Sequence, residues 1–231
     1  MNTPLQRTAP AFRPRLRPLG WALACSLLSG AAAAATLQVK VLARDGTPLP
    51  DAVVIVEPDG TTQRAPAPAP VETHIAQEKM QFVPAVSVIP LGSKVVFSNL
   101  DSWEHHVRGL PGGLAGLNAA PGSGFELRMG GKAEGKPAES DTVTLTQPGP
   151  IQLGCHIHGS MRGSIYVTDS PWAVKTDGQG VAMVPNLPEG TARLRVWHAE
   201  QLIEASPTPV TVKPLTVIEM PTRIAPRRRR S

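Results

Sequence analysis

Cysteine is scarce in this chain: two in 231 residues, Cys25 and Cys155. That excludes a disulfide-built scaffold. A c-type haem is excluded as well, because no Cys-x-x-Cys-His run occurs. Helical periodicity is almost absent, which argues against a helical bundle. Past the N-terminus, no second hydrophobic run is long enough to span a membrane. The first 35 residues hold no acid, and the rest of the chain shows no basic face for nucleic acid.

What the N-terminus does contain is Arg7, Arg13, Arg15 and Arg17, then an apolar run from Leu19, then an alanine-rich end. That order predicts a secretory leader over 1–35, cut near Ala35. An uncleaved anchor is the weaker reading, since alanine-rich segments are only mildly apolar. A lipid-modified Cys25 is weaker still, with Ala22 rather than Leu three residues before it. The expected location is therefore the periplasm, with no membrane span in the mature chain. Without the leader, 196 residues remain (231 less 35), with Cys155 as their one cysteine. An unpaired cysteine in an exported protein suggests intermolecular pairing, a reactive thiol or a metal ligand. The leader also accounts for most of the basic pI. Basic residues fall to 19 (23 less 4) against 18 acids, and Arg223 and Arg227 to Arg230 lie in a tail, 223–231, that reads as disordered and solvated.

Between leader and tail, proline and glycine are abundant and short Val/Ile-rich runs alternate with turn signals. "TLQVKVLA" points Leu37, Val39 and Val41 one way, and the Asp45-Gly46 turn leads to the more buried "AVVIVEP". The pattern predicts a hairpin. "RAPAPAP", 64–70, is a stiff extended linker. Strand-like runs resume at "AVSVIP", "SKVVFSN", "TVTLT", "IQLG" and "GSIYVTD", and again on either side of Asn186 to Gly190. "PVTVKPLTVIEMP" closes the series. The expected fold class is all-β, with material for two small sandwiches.

The chemistry concentrates in "GCHIHGSMRG", 154–163. A type 1 copper site takes two imidazoles, one thiolate and a weak axial thioether. Cys155, His158 and Met161 offer three of those four at i, i+3 and i+6. The second imidazole must come from elsewhere, and "VVFSNLDSWEHHVRG" supplies it. His105 and His106 are neighbours on a strand-like segment and point to opposite sides, so at most one easily faces a metal. His158 is preferred to His156, because Cys+3 clears the thiolate while Cys+1 points away. Each residue also has a plainer reading. Cys155 could be an inert buried thiol and Met161 a core filler. Asn99 could be a turn residue at a strand end. His74 and His198 are given no metal role.

"FVPAVSVIPLGSKVVFSNLDSWEHHV" together with "GCHIHGSM" resembles the cupredoxins of the amicyanin and plastocyanin type. The resemblance implies a Greek-key sandwich over 71–168 holding one type 1 copper, with His105, Cys155 and His158 in plane and Met161 axial. It selects His105 over His106, and implies that Asn99 ties the two ligand loops together near the sulfur. It further implies single-electron transfer without enzyme activity of its own. A periplasmic redox partner, a dehydrogenase or a cytochrome, would dock near His158. The ends of the chain, 36–63 and 169–222, resemble the carboxypeptidase regulatory-like sandwich, of Ig or transthyretin type, here split by an insertion. The whole arrangement is similar to proteins labelled "methylamine utilization protein". Two features depart from that pattern. Gly159-Ser160 stand where a bulky aromatic is usual, and the glycine-rich run 109–124 is long enough to be either functional or disordered.

Two rival readings use the same residues. A copper-delivery protein would need labile copper. A cysteine enzyme would need a base within hydrogen-bond reach of Cys155 and a third group orienting it. Zinc fits poorly, because a thioether is not among its usual ligands.

Overall fold

The computed structural model describes residues 34–60, 65–120, 122–201 and 203–225. The expected leader lies outside them except for its last two residues, and so do Cys25, residue 64 of the linker and residues 226–231 of the tail. The chain divides into two units, Met1–Ala31 and Ala32–Ser231. Everything described below belongs to the second.

The described residues form sixteen strands and one five-residue helix, an all-β fold as the turn-rich, Val/Ile-rich sequence predicts. In chain order, β1 (Ala34–Leu42) and β2 (Val53–Pro58) come first. Next are β3 (Glu72–Glu78), β4 (Gln81–Val83), β5 (Val86–Pro90), β6 (Lys94–Asn99) and β7 (His105–Pro111). The helix α1 (Gly113–Leu117) precedes β8 (Phe125–Met129), β9 (Ser140–Thr144), β10 (Gly149–Cys155) and β11 (Arg162–Thr168). The chain closes with β12 (Ala173–Lys175), β13 (Val181–Pro188), β14 (Gly190–Trp197), β15 (Thr208–Val212) and β16 (Leu215–Pro221).

These strands make four sheets, and the sheets separate cleanly by sequence. Strands from 34–58 and 173–221 form β13-β1-β16 and β12-β2-β14-β15. Strands from 72–168 form β5-β11-β10-β7-β8 and β4-β3-β6-β9. Each pair of sheets encloses its own core. Leu37, Val39, Val41, Val54, Val56, Val184 and Leu194 fill the first; Ile75, Phe82, Phe97, Val107, Leu153 and Ile165 fill the second.

The expected hairpin between the first two strands does not form. β1 pairs with β13 and in parallel with β16, whereas β2 pairs with β12 and β14. The reason lies in what each strand buries. Leu37, Val39 and Val41 from β1 and Val54 and Val56 from β2 contribute to the same core from opposite sheets. The connection also carries Leu49 and Ala52, both fully buried in that core. The segment therefore crosses between layers, and Asp45-Gly46 turns it locally without setting two strands side by side.

The glycine-rich run 109–124 is partly built into the fold. Its first residues finish β7, and Gly113–Leu117 form α1, which buries no side chain. Two of the sequence phrases singled out above meet inside the second core. Phe82 is buried against Gly163, where an added Cβ would stand 3.0–3.1 Å from Phe82 side-chain carbons. Gly163→Ala is thus expected to cost about 1–3 kcal/mol through overpacking, read as a lowered urea midpoint at unchanged slope.

Candidate metal centre

β7 and β10 are antiparallel neighbours with Cys155 opposite Val107. Strand alternation turns every second side chain inward, so His105 and Val107 on β7 and Leu153 and Cys155 on β10 all point into the second core. His105 opens its strand and Cys155 ends its own. The two therefore sit at the same end of the sheet, where the loop 156–161 leaves β10 and returns as β11.

That loop brings in the third group. His158 is half-buried, its Nδ1 3.4 Å from Cys155 Sγ and 3.2 Å from His105 Nδ1, and the third side of the triangle, His105 Nδ1 to Cys155 Sγ, is 3.6 Å. Among the described residues these three are the one group of His, Cys, Asp or Glu side chains whose potential ligand atoms already lie within 4.8 Å of one another. A point equidistant from the three atoms lies about 2.0 Å from each, which is the bond length a borderline transition metal makes to imidazole and slightly short of its bond to thiolate. Met161 lies in the same buried cluster as Cys155. Its backbone N–H donates to the His158 carbonyl at 2.9 Å, tightening the turn.

One functional residue escaped the sequence reading. Asp101 Oδ2 lies 2.8 Å from His105 Nε2. An ionised carboxylate only accepts, so the ring donates from Nε2 and presents Nδ1 as a lone pair toward Cys155 and His158. The same carboxylate accepts the backbone N–H of Lys79 (2.6 Å) and of Met80 (3.0 Å). Those two residues are the turn between β3 and β4, with φ of 52° and 57°, left-handed values that side chains other than Gly and Asn seldom adopt. Burial pushes the Asp101 carboxyl up, but the Met80 N–H, His105 and the Lys79 N–H outweigh it and hold it below its ordinary 3.8. The signal in the sequence was the spacing Asp101 to His105, four residues.

Asn99 is fully buried, but its bonds differ from those the resemblance implies. Its Nδ2 donates to the carbonyls of Trp103 (2.8 Å), Gly130 (2.9 Å) and Met129 (3.3 Å), and its Oδ1 accepts the Asp101 N–H. Among the described residues it thus ties the His105 loop to the end of β8, not to the Cys155 loop. His106 and His156 point outward and stack on each other. His74 is exposed on β3, and His198 is buried just past β14, where its Nδ1 accepts the Glu200 N–H. Exposed apolar side chains flank the two segments in sequence, Ile157 next to His158, and Leu100 and Trp103 in the loop that precedes His105. No helix among the described residues is long and apolar enough to cross a membrane.

No protein-family model matches the chain, and no curated protein matches it. Solved structures similar to it include cupredoxins at low identity and partial coverage. A copper-containing nitrite reductase from Thermus scotoductus SA-01 is 24% identical over 48% of this chain, with a TM-score of 0.33, and the chain spans only 25% of that protein. Amicyanin from Paracoccus versutus is 20% identical over 50% of this chain and 97% of its own, with a TM-score of 0.32. A reduced Cu(I) form of an amicyanin variant is 18% identical over 50% of this chain and 98% of its own, with a TM-score of 0.33.

Proposed function

We propose that residues 71–168 are a cupredoxin domain in which His105, Cys155 and His158 hold one copper ion in plane, with Met161 as a weak axial ligand, and that the chain carries single electrons. The observation behind this reading is the triangle itself. Two imidazole nitrogens and one sulfur, the donor set of a type 1 site, converge with sides of 3.2–3.6 Å before any ion is considered. Copper, when bound, supplies a one-electron couple. What the chain supplies is a frame that need not move. His105 and Cys155 are anchored on neighbouring strands, and Asp101 fixes the tautomer and the orientation of His105. His158 is the ligand nearest solvent, and the exposed Ile157 beside it offers a redox partner an apolar landing.

The order Cys155, His105, Asp101 also matches nucleophile, base and orienting acid. A nucleophile has to be reached by its substrate, however. Here His105 is fully buried, Cys155 nearly so, and the His158 Nδ1 lies 3.4 Å from the sulfur. Met161 would have no role. The electron-carrier reading uses all four residues and is the one adopted, without enzyme activity.

The rest of the proposal follows the sequence. Residues 1–35 export the chain to the periplasm. Residues 36–63 and 169–222 form a regulatory-like sandwich that serves packing or interaction, as in the methylamine-utilization type. The copper reading is tested by adding Cu(II) to the purified protein and to Cys155→Ser. The expected result is an intense thiolate-to-copper absorption with narrow hyperfine splitting in the EPR spectrum, absent from the variant. A colourless protein with an ordinary tetragonal copper signal would overturn it.

A further inference from the structure

Four of the six histidines lie in the two ligand segments, and the triangle uses only two of them. The other two meet on the opposite face of the same strands. β7 and β10 run antiparallel with Cys155 opposite Val107. Continuing that register by one residue sets His156 opposite His106, and the His156 N–H donates to the His106 carbonyl at 3.0 Å. Because His105 and Cys155 point inward, alternation makes both neighbours point outward, side by side. Their rings stack at 6.5 Å between centroids, 18° from parallel. Glu104 joins them, its Oε1 2.8 Å from His106 Nε2 and 3.2 Å from Arg128 Nε.

We infer that His106 and His156, with Glu104, form a second metal site on the surface of this sheet, one that takes a divalent transition-metal ion such as Cu(II). Directly opposed residues of an antiparallel pair have Cα atoms about 5.5 Å apart or less. From that separation, side-chain rotation alone brings one nitrogen of each ring within about 2.0–2.1 Å of a common ion. His156 is exposed and His106 partly so, which leaves room for that rotation and for water to complete the coordination. Two imidazoles and a carboxylate make a nitrogen–oxygen set with no thiolate, suited to tetragonal Cu(II) and not to the type 1 geometry. The platform is rigid, since both rings stand on hydrogen-bonded backbone. Arg128 and the Arg108–Glu126 pair flank the site. Arg128 must give up Glu104 when the carboxylate turns to the ion, and this keeps the site weaker than the buried one.

This inference stands whether or not the buried triangle holds copper, and the test separates the two. The protein is titrated with Cu(II) alone through two equivalents, followed by EPR and by competition with a chelator, beside His106→Ala, His156→Ala, His74→Ala and Cys155→Ser. One equivalent with wide, tetragonal hyperfine splitting, weakened in His106→Ala and His156→Ala, is expected in the wild type, in His74→Ala and in Cys155→Ser. Loss of either His106 or His156 should weaken it by about tenfold or more, at least the range seen when a metal site loses a supporting group. Both rings lie outside the core, so the urea midpoint of each variant should match the wild type. Absence of any tetragonal Cu(II) signal, or one unmoved by both histidine substitutions, would overturn the inference.

Discussion

Asp101→Ala is expected to destabilise the protein by about 3 kcal/mol, as three bonds to a charged acceptor vanish at once. One of them comes from the fully buried His105 and two from the Lys79 and Met80 N–H groups. The Lys79-Met80 turn adopts a left-handed backbone without glycine or asparagine, so the Asp101 carboxylate is what compensates for its conformational cost. Metal affinity should fall by about 10–100-fold in the same variant, because His105 loses the acceptor that holds its ring. Asp101→Asn keeps an acceptor oxygen for the ring N–H and should recover part of both losses. Urea unfolding and chelator competition measure the two effects separately, and a variant within experimental error of wild type in both would remove Asp101 from the site. The pH dependence has a definite sign. The Asp101 carboxyl titrates below 3.8 in the folded protein, so the folded state binds fewer protons than the unfolded state near that pH. Its contribution is complete above about pH 4 to 5 and is lost as pH falls through the lowered value.

Asp101 also shows where the sequence stops being readable. "SNLDSW" is a cluster of turn residues, and an aspartate in such a cluster is ordinarily there for the turn. Only its bond to His105 spans a local spacing, four residues; its Lys79 and Met80 partners are set by the folding of β3 and β4, about twenty residues away, and nothing local announces them. The inward residues of β1 and the pairing of Cys155 with His158 were legible for the opposite reason, whereas His105 was preferred to His106 only through the family resemblance. Alternation and the i, i+3 spacing are local properties that survive whatever the chain does next. Pairing is not local. β1 and β16 run parallel although about 180 residues separate their paired positions, and the expected β1–β2 hairpin failed because the sequence shows which face of a strand is apolar but not which sheet receives it. The same limit hid the His106–His156 pair. Each histidine could be read as outward-facing, but their meeting required knowing that β7 and β10 are neighbours. Strands as short as β4 and β12, three residues each, carry too little pattern to be seen at all.

Trp197→Ala is expected to cost about 3–5 kcal/mol and to uncouple the two sandwiches. β2 is buried on both faces. Val54 and Val56 enter the first core, while Val53 and Ile55 face outward and are buried as well. What covers them is a third apolar cluster containing Val86 of β5, Tyr166 of β11 and Trp197 of β14. It draws on both pairs of sheets and so joins them. Trp197 packs on Tyr166 with ring centroids 5.4 Å apart and 48° between planes, a tilted arrangement that adds to the area buried. With the indole gone, calorimetry should resolve two thermal transitions where the wild type shows one. Tyr166 is the chain's single tyrosine, which makes its phenol a clean reporter of the same event. Burial is the main reason its proton is held above the usual 10.0, so the contribution of this group is present below pH 10 and declines as pH rises past it. In Trp197→Ala the phenolate absorption should appear at lower pH, back toward the ordinary value. One transition at the wild-type midpoint, with an unmoved phenol titration, would mean that the sandwiches are coupled through the two chain crossings at 59–71 and 169–172 and not through this cluster.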